Sequence, residues 1–368
     1  MIYLDNAATT FPKPPCVLEA VSKCISEYCA NSGRSAHSLA VKTAEEIYSV
    51  RERVASLLNF SSPENVCFTS NATYALNMAM KCLIPHGTHV ILSDLEHNST
   101  LRPIERMKST CGISYSHFST HGDIAKNIEA VLENNTSTIV STLMSNVSGD
   151  ELSLQRLSET AEAHNLRLIV DASQMIGHKR IDMGKYACDA LCAPGHKGLF
   201  GIQGAGILCF GKDPDIKSTL IEGGSGNHSE SILMPDKLPE MMEAGTLPSP
   251  SVISLGAGID FINDVGLDSI EEHINGLTDY LSCLLSELKN IEVVSAKNGI
   301  IAIRGLKCAN AQIDEALQKQ DICVREGLQC APLAHKTLGT LKTGVIRISL
   351  SYFNRKEDAQ ALYLQLKE

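Results

Sequence analysis

The 368-residue chain contains no tryptophan, and aromatic residues make up only 5% of it. No apolar run approaches the roughly 20 residues that a membrane-spanning helix needs, and residues 1–5 do not begin a basic segment followed by an apolar one. Basic residues are too few to outweigh the acidic ones, and the net charge of −10 argues against nucleic acid or an anionic membrane as a partner. We expect a cytoplasmic protein that acts on a small molecule.

The chain has thirteen cysteines but no Cys-x-x-Cys motif, and no histidine pair accompanies them at zinc spacing. Cysteines scattered through a long sequence without a secretory signal predict free thiols that are mostly buried and inert, not a disulfide framework. We therefore expect no metal site. A reactive cysteine has to be recognised from its own neighbours.

The apolar residues predict a large and a small domain, since a chain with 43% hydrophobic residues can form both cores. Between about residues 66 and 210, short apolar runs alternate with helical stretches, which predicts a mostly parallel sheet covered on both faces. Ligands of such sheets bind at the carboxyl ends of the strands. Helices are predicted at about residues 17–28, 39–58, 74–83, 254–290, 311–319 and 356–366, and residues 222–250 are predicted to form a long ordered loop.

Lys197 lies in a glycine-bracketed turn, Gly195-His196-Lys197-Gly198, one strand and one loop after Asp171. A pyridoxal phosphate enzyme needs a lysine amine at the cofactor aldehyde and a carboxylate at the pyridine nitrogen. Alone, such a turn is typical of an ordinary basic loop. Gln174, three residues after Asp171, and the glycine-rich residues 201–206 favour the cofactor interpretation.

Two further groups of polar residues follow predicted strands. Asn71-Ala72-Thr73 precedes an apolar helix, so that it either holds a phosphate at the helix start or only caps the helix. His97 follows the next strand, where its ring either stacks on a cofactor or has no special role.

The order of these motifs resembles the class V aminotransferase fold family and, within it, the cysteine desulfurases and selenocysteine lyases. The resemblance runs from Tyr-Leu-Asp-Asn-Ala-Ala-Thr-Thr at residues 3–10 to Arg-Ile-Ser-Leu-Ser-Tyr-Phe-Asn at residues 347–354. It implies an α/β chain with the type I fold of pyridoxal phosphate enzymes. The large domain, residues 16–253, would hold a mainly parallel seven-stranded sheet, and a smaller α+β domain, residues 1–15 and 254–368, would carry the catalytic cysteine loop.

The resemblance also implies roles for single residues around pyridoxal 5'-phosphate. It assigns Lys197 to the Schiff base, Asp171 to the pyridine nitrogen, Gln174 to the phenolic oxygen, His97 to ring stacking, and Asn71, Ala72, Thr73 and His196 to the phosphate side. In Glu243-Ala244-Gly245-Thr246, the threonine would reach the phosphate of the neighbouring subunit in a homodimer. The chain departs from the family pattern at Pro194, where serine or threonine is common, at Asn71, where glycine is common, and at Asp150-Glu151.

Cys330 lies in a short turn after a strand, five residues beyond Arg325. Because a thiolate is the competent nucleophile and cationic neighbours favour it, this cysteine is the candidate for sulfur chemistry. It resembles the persulfide-forming cysteine of the desulfurases with a short catalytic loop. Arg347 resembles the arginine that binds the substrate carboxylate, and Asn146 matches a substrate-side asparagine. With Arg325, these two are the expected substrate-binding residues.

The implied reaction converts L-cysteine to L-alanine, with Lys197 removing the α-proton and a persulfide formed on Cys330 for transfer to a sulfur-acceptor protein. A selenocysteine lyase acting on L-selenocysteine, a class V aminotransferase and a catalytically silent scaffold are the alternatives. The aminotransferase would not need Cys330, and the scaffold would require the loss of a catalytic residue.

Overall fold

The computed structural model describes residues 1–33, 37–211, 214–216, 218–226 and 230–367. Of the predicted loop at residues 222–250, residues 227–229 lie outside this part. The strands in chain order are β1 (Ile2–Tyr3), β2 (Val66–Thr69), β3 (His89–Ser93), β4 (Ser114–Phe118), β5 (Thr136–Thr142), β6 (Arg167–Asp171), β7 (Ala190–Pro194), β8 (Gly206–Phe210), β9 (Ile291–Lys297), β10 (Ile300–Gly305), β11 (Ile322–Cys323), β12 (Arg325–Gly327) and β13 (Val345–Ser349).

Helices cover these strands and connect them. In chain order they are α1 (Pro15–Lys23), α2 (Ser38–Leu57), α3 (Ala72–Leu83), α4 (Asn98–Cys111), α5 (Ile124–Glu129), α6 (Leu154–Ala163), α7 (Ser249–Val265), α8 (Leu267–Ser286), α9 (Asn310–Lys319), α10 (Pro332–Thr337) and α11 (Lys356–Lys367). None of the described helices is long and apolar enough to cross a bilayer.

The predicted seven-stranded sheet is present in the order β2-β8-β7-β6-β5-β3-β4. Its neighbouring strands pair in parallel except β8, which runs antiparallel to β2 and β7. The central strands are buried along their whole length, as expected for a sheet with helices on both faces. The parallel strands β3, β5 and β6 therefore end at the same edge, and this edge carries the candidate site.

The chain also forms a four-stranded antiparallel sheet in the order β12-β13-β10-β9. The first residues of the chain join it: β1 pairs in parallel with β11, and Asp5 forms a bridge with Ser349 at the end of β13. A separate hydrophobic cluster unites Leu4 with residues of α8, α9, α11 and this sheet. The amino terminus thus packs with the carboxyl-terminal third of the chain.

Among the elements that differ from the predictions, three have a local physical reason. The helix expected over residues 254–290 is two helices, because Gly266 has φ +88° and ends α7 before α8 begins. The helix expected to reach residue 28 ends at Lys23 and continues as a π-helical turn, Cys24–Tyr28. Strand β4 was not predicted, because its sequence, Ser-Tyr-Ser-His-Phe, has no apolar run and only its last residue is buried.

Candidate active site

A cavity of about 110 Å³ lies at the carboxyl ends of β5, β6 and β7. Nine of the predicted site residues line it, brought together from five separate segments: Asn71, Ala72, Thr73, His97, Asn146, Asp171, Gln174, His196 and Lys197. The residues Leu95, Ser99, Thr142, Met144, Ser173 and Pro194 complete the wall. Parallel strands deliver their following loops to one edge, which explains why residues so far apart in sequence converge.

Lys197 follows β7 and lines this cavity. The amine makes no hydrogen bond or ion pair with any described residue. Burial lowers the pKa of Lys197 to about 8, although the carboxylate of Asp171 opposes this by favouring the charged form. An amine with a pKa near 8 is partly unprotonated at neutral pH, as nucleophilic and proton-transfer chemistry requires.

Glycines allow the Lys197 turn to pack directly against other backbone. A Cβ on Gly198 would lie 2.1 Å from the carbonyl oxygen of Ile176, and a Cβ on Gly258 of α7 would lie 1.9 Å from that of Leu199. Real Cβ atoms do not approach so closely, so both positions require glycine in this arrangement. The turn is therefore held by main-chain contacts on both sides, with no flexible side chain between.

Asp171 ends β6 and is buried at the cavity wall. One carboxylate oxygen accepts a hydrogen bond from the amide of Ser173 at 2.9 Å, while no described residue donates to the other. Gln174 donates from its side-chain amide to the carbonyl oxygen of Ala7 at 3.0 Å and keeps its second N–H for a ligand. Both side chains are thus fixed while one polar group of each stays available.

The start of α3 forms another wall of the cavity. Asn71 is the N-cap, and its side-chain oxygen accepts from the amide of Tyr74 at 3.1 Å. The amides of Ala72 and Thr73 and the Thr73 hydroxyl donate to no described residue. The capping role and the anion-binding role, which the sequence left open for this segment, are therefore compatible: Asn71 caps the helix and leaves two amides free for an anion.

The two histidines of the cavity are held in neutral, oriented states. His97 is the N-cap of α4, where its Nδ1 accepts from the amide of Ser99 at 3.0 Å, and burial lowers its pKa. Its proton therefore lies on Nε2. His196 pairs Nδ1 with the hydroxyl of Thr9 at 3.0 Å, and burial lowers its pKa to about 4.

Arg347 and Arg325 do not line this cavity but meet beside it. They are directly opposite each other on β13 and β12, and both bind the carboxylate of Asp5: Nη2 of Arg347 at 2.8 Å, Nη2 of Arg325 at 2.8 Å. Arg347 also donates to the carbonyl oxygen of Asn146 at 3.0 Å, while its Nε is buried without a partner among the described residues. Arg347 thus contacts a residue of the cavity wall and retains a free donor.

Cys330 lies at the surface in the turn between β12 and α10. Gln329 and Cys330 both have positive φ, +41° and +56°, which few non-glycine residues adopt. The side chain of Gln329 holds the turn by bonding His335, Arg325 and Val345. The side-chain amide of Asn146 donates to the carbonyl oxygen of Gln329 at 2.8 Å, so that the cysteine turn joins the cavity wall.

Thr246 lies away from these residues. It is exposed at the rim of a second, open cavity of about 870 Å³. Its motif is anchored by Glu243, which is buried, paired with Arg51 and bonded to the amide of Phe68 in β2 at 2.6 Å. Glu243 therefore fixes this motif to β2, while Thr246 itself is exposed.

The predicted departures from the family pattern are also accommodated. Pro194 is the last residue of β7 and lies in the cavity wall. Asp150 and Glu151 form ion pairs with Lys297 and Lys179 and do not line the cavity. These two carboxylates therefore anchor the loop that carries Asn146 and add no charge to the lining of the cavity.

Two buried acidic residues beside the site were not predicted to have a role. Asp5 binds Arg325 and Arg347, which lie more than 300 residues further along the chain. The sequence around Asp5 does not indicate these partners. Glu96 is completely buried, accepts from Ser93 at 2.5 Å and Thr142 at 2.7 Å, and keeps one oxygen without a partner among the described residues. Burial raises the pKa of Glu96 to about 7. In the sequence, the only indication of a role for Glu96 is its position shortly after β3.

The groups that line the cavity at Lys197 fit pyridoxal phosphate. The unpaired lysine amine suits the aldehyde of this cofactor, and the carboxylate with a free oxygen suits its ring nitrogen. The imidazole suits the aromatic ring, and the helix start with free amides suits the phosphate. No cluster of three or more metal-binding side chains occurs in the described ranges. The fold and this set of groups define a pyridoxal phosphate enzyme of the type I fold.

The chain belongs to the aminotransferase class-V family, whose model matches residues 2–362. Family membership confirms the predicted fold and cofactor. A protein named probable cysteine desulfurase from Methanothermobacter thermautotrophicus is 31% identical, over 100% of this chain and 94% of its own length. Another of that name from Halalkalibacterium halodurans is 30% identical, over 98% and 91%.

Two solved structures are similar to the whole fold. The apo structure of a cysteine desulfurase from Thermococcus onnurineus has a TM-score of 0.91 at 25% identity and covers 100% of this chain and 94% of its own. A cysteine desulfurase from Escherichia coli has a TM-score of 0.90 at 25% identity, covering 99% and 93%. The family resemblance seen in the sequence is thus confirmed.

Proposed function

We propose that the protein is a cysteine desulfurase that converts L-cysteine to L-alanine and forms a persulfide on Cys330. The observation that carries the proposal is the attachment of the Cys330 turn to the cavity containing Lys197. Asn146 bonds the residue before the cysteine, and the first amide of α4 bonds the cysteine itself. An aminotransferase has no use for a nucleophilic thiol held at this place.

Pyridoxal phosphate, when bound, withdraws electrons from the α-carbon and so weakens its bond to hydrogen. Lys197 binds the cofactor and then carries the α-proton, for which its lowered pKa suits it. Asp171 would keep a positive charge on the ring nitrogen, His97 would stack on the ring, and Gln174 would donate to the phenolic oxygen. Ala72, Thr73 and His196, with Asn71 as the cap, would hold the phosphate. Arg347 and Asn146 bind the substrate carboxylate, and Arg325 supports Arg347.

Cys330 completes the reaction as the nucleophile. Its thiolate attacks the sulfur of the substrate, so that a sulfur–sulfur bond forms while the carbon–sulfur bond breaks. The electron pair of the broken bond stays with the β-carbon, which takes up a proton to become the methyl group of alanine. The persulfide remains on the protein for an acceptor. The exposed position of Cys330 supports this last step, because an acceptor protein can reach it.

The assembly, the location and the domain division belong to the same proposal. We infer a homodimer in which Thr246 binds the phosphate of the neighbouring subunit, since Thr246 is exposed and follows the anchored residue Glu243. A cytoplasmic location is supported by the thirteen cysteines, all described and all free. A large domain of residues 16–253 and a small domain of residues 1–15 and 254–368 agree with the separate cluster around Leu4 and the carboxyl-terminal third.

The test is to supply the purified protein with L-cysteine or L-selenocysteine and to quantify alanine together with sulfide or selenide. We expect alanine from L-cysteine, and mass spectrometry after brief exposure should find one added sulfur on the peptide that contains Cys330. Alanine formed only from L-selenocysteine, with no sulfur on that peptide, would assign the protein to the selenocysteine lyases instead.

A further inference from the structure

The carboxylate of Asp5 lies between two arginines that would otherwise repel each other. Arg325 and Arg347 are Cα partners in the antiparallel pair β12–β13, where like charges directly opposite are unfavourable. Asp5 accepts from Nε of Arg325 at 3.0 Å, from its Nη2 at 2.8 Å and from Nη2 of Arg347 at 2.8 Å. The three side chains form one group, the Asp5–Arg325–Arg347 cluster.

The backbone fixes Asp5 in this place. Ser349 donates from its amide to the carbonyl oxygen of Leu4 at 2.7 Å, and Asp5 itself forms a parallel bridge with Ser349. The Asp5 side chain is only 11% exposed, whereas that of Arg325 is 48% exposed and that of Arg347 is 2% exposed. Asp5 is therefore a fixed part of the cluster and is largely shielded from solvent.

The cluster carries a net charge of +1, because one carboxylate offsets one of the two guanidinium groups. Its charges reach the candidate site: Arg347, Asp5 and Arg325 all act on the ionisation of Lys197. Arg347 has an unsatisfied buried Nε, and a buried donor of this kind is costly unless a ligand pairs with it. A single additional carboxylate would satisfy that donor and bring the cluster to neutrality.

We infer that Asp5 is a positioning and specificity residue that limits the site to amino acids with one carboxylate. This rests on the proposed function, in which Arg347 binds the substrate carboxylate. Asp5 holds Arg347 in place and removes the second positive charge that a dicarboxylate would need. Without Asp5 the cluster would carry +2 and would favour ligands such as L-aspartate over L-alanine.

The test compares binding of L-alanine and L-aspartate to the cofactor-loaded protein by calorimetry, so that no sulfur chemistry is involved. In Asp5→Asn, the preference for L-aspartate over L-alanine should rise about tenfold relative to the wild type, since a neutral amide leaves one more positive charge. Asp5→Glu should retain the wild-type ratio. Asp268→Asn is the matched control, because Asp268 pairs with Arg180 at the surface, with both side chains exposed.

Arg325→Gln brings the cluster to zero charge and should shift the ratio in the opposite direction. If Asp5→Asn does not fold, this variant and Asp5→Glu decide the matter. An unchanged ratio in folded Asp5→Asn, or equal ratios in Arg325→Gln and Asp5→Glu, would overturn the inference. A wild type that makes no alanine from L-cysteine would refute the proposed function, yet the binding ratios could still be measured.

Discussion

The amide of Asn98 donates a hydrogen bond to the carbonyl oxygen of Cys330 at 2.8 Å. Asn98 is the first residue of α4, directly after His97 at the cavity wall, so this contact ties the cysteine to the helix start beside the candidate site. With the backbone held from both sides, by Asn98 and through Gln329, the main freedom left to the thiol is rotation about its own Cα–Cβ bond.

Cys330→Ser should reduce release of alanine from L-cysteine by about two orders of magnitude or more, because a hydroxyl does not accept sulfur as a persulfide. Serine occupies the same positive-φ position with the same strain, so the fold should be retained. Substrate binding, followed by calorimetry, should stay near the wild-type value. Cys308→Ser, at another exposed cysteine, is the control. Undiminished alanine release from Cys330→Ser would remove the cysteine from the mechanism.

Lys197→Ala should abolish the covalent attachment of the cofactor. Lys197 contributes the only amine among the residues that line the cavity in the described part of the chain. The measurement is borohydride reduction followed by peptide mass spectrometry, which should find the adduct on Lys197 in the wild type and none in the variant. Lys13→Ala serves as a control, since its amine bonds the carbonyl oxygen of His196 nearby. An adduct at a different lysine would show that the assignment is wrong.

Asp171→Asn should keep the fold and slow α-proton removal by about two to three orders of magnitude, because a neutral amide cannot keep the ring nitrogen protonated. The amide can still accept the hydrogen bond from Ser173, so structural damage should be small. Exchange of the α-hydrogen of L-alanine with deuterated water measures this step without any sulfur chemistry. Near-normal exchange would contradict the role of Asp171.

Thr246→Ala should weaken cofactor binding by about tenfold, the loss expected for one hydrogen bond to a charged group. Thr246 does not line the Lys197 cavity of its own chain, so a neighbouring subunit is the expected source of the effect. Equilibrium dialysis gives the cofactor affinity, and sedimentation gives the oligomeric state. Thr110→Ala, at an exposed position of α4, is the control. A fully active monomer would rule out the shared site.

Glu96→Gln should flatten the dependence of stability on pH. Burial raises the pKa of Glu96 from 4.5 to about 7, so between these values the folded protein binds more protons than the unfolded chain. Stability from this group is complete below pH 4.5 and is lost as the pH rises through 7, by about 3 kcal/mol.

Melting temperatures measured between pH 4.5 and 8 should therefore fall less in Glu96→Gln than in the wild type. The exposed residue Glu105 provides the matched variant, Glu105→Gln, which should follow the wild type. Parallel curves for the wild type and Glu96→Gln would show that folding does not change the pKa of Glu96.

The sequence predicts the parts of this molecule whose signals are local. Buried strands such as β3 and β7 are continuous apolar runs, and the Lys197 turn follows one of them directly. Strand β4 escapes prediction because it lies at the edge of the sheet and alternates without a buried run. The helix break at Gly266 is also missed, since a lone glycine is tolerated in many helices and only its positive φ reveals the interruption.

The contacts of the site are harder to predict than its members. Nothing near Asp5 indicates Arg347, because their pairing depends on the amino terminus packing beside β13. Similarly, the unusual pKa of Glu96 arises from complete burial, which its polar neighbours His97 and Asn98 do not suggest. Spacing along the chain therefore identifies candidate residues, while the fold decides which of them form ion pairs and which have a shifted pKa.

Close backbone packing at Gly198 and Gly258 connects the Lys197 turn directly to the segments on either side of it. Helix α7 touches the Lys197 turn without an intervening side chain, and α8, which follows it after Gly266, packs on β9 of the sheet that also holds β12 and β13. The lysine turn is therefore connected by direct packing, through α7 and α8, to the sheet whose strand β12 precedes the Cys330 turn. The elements that carry the amine and the thiol pack on one another in this way, although one lies before Gly266 in the chain and the other after it.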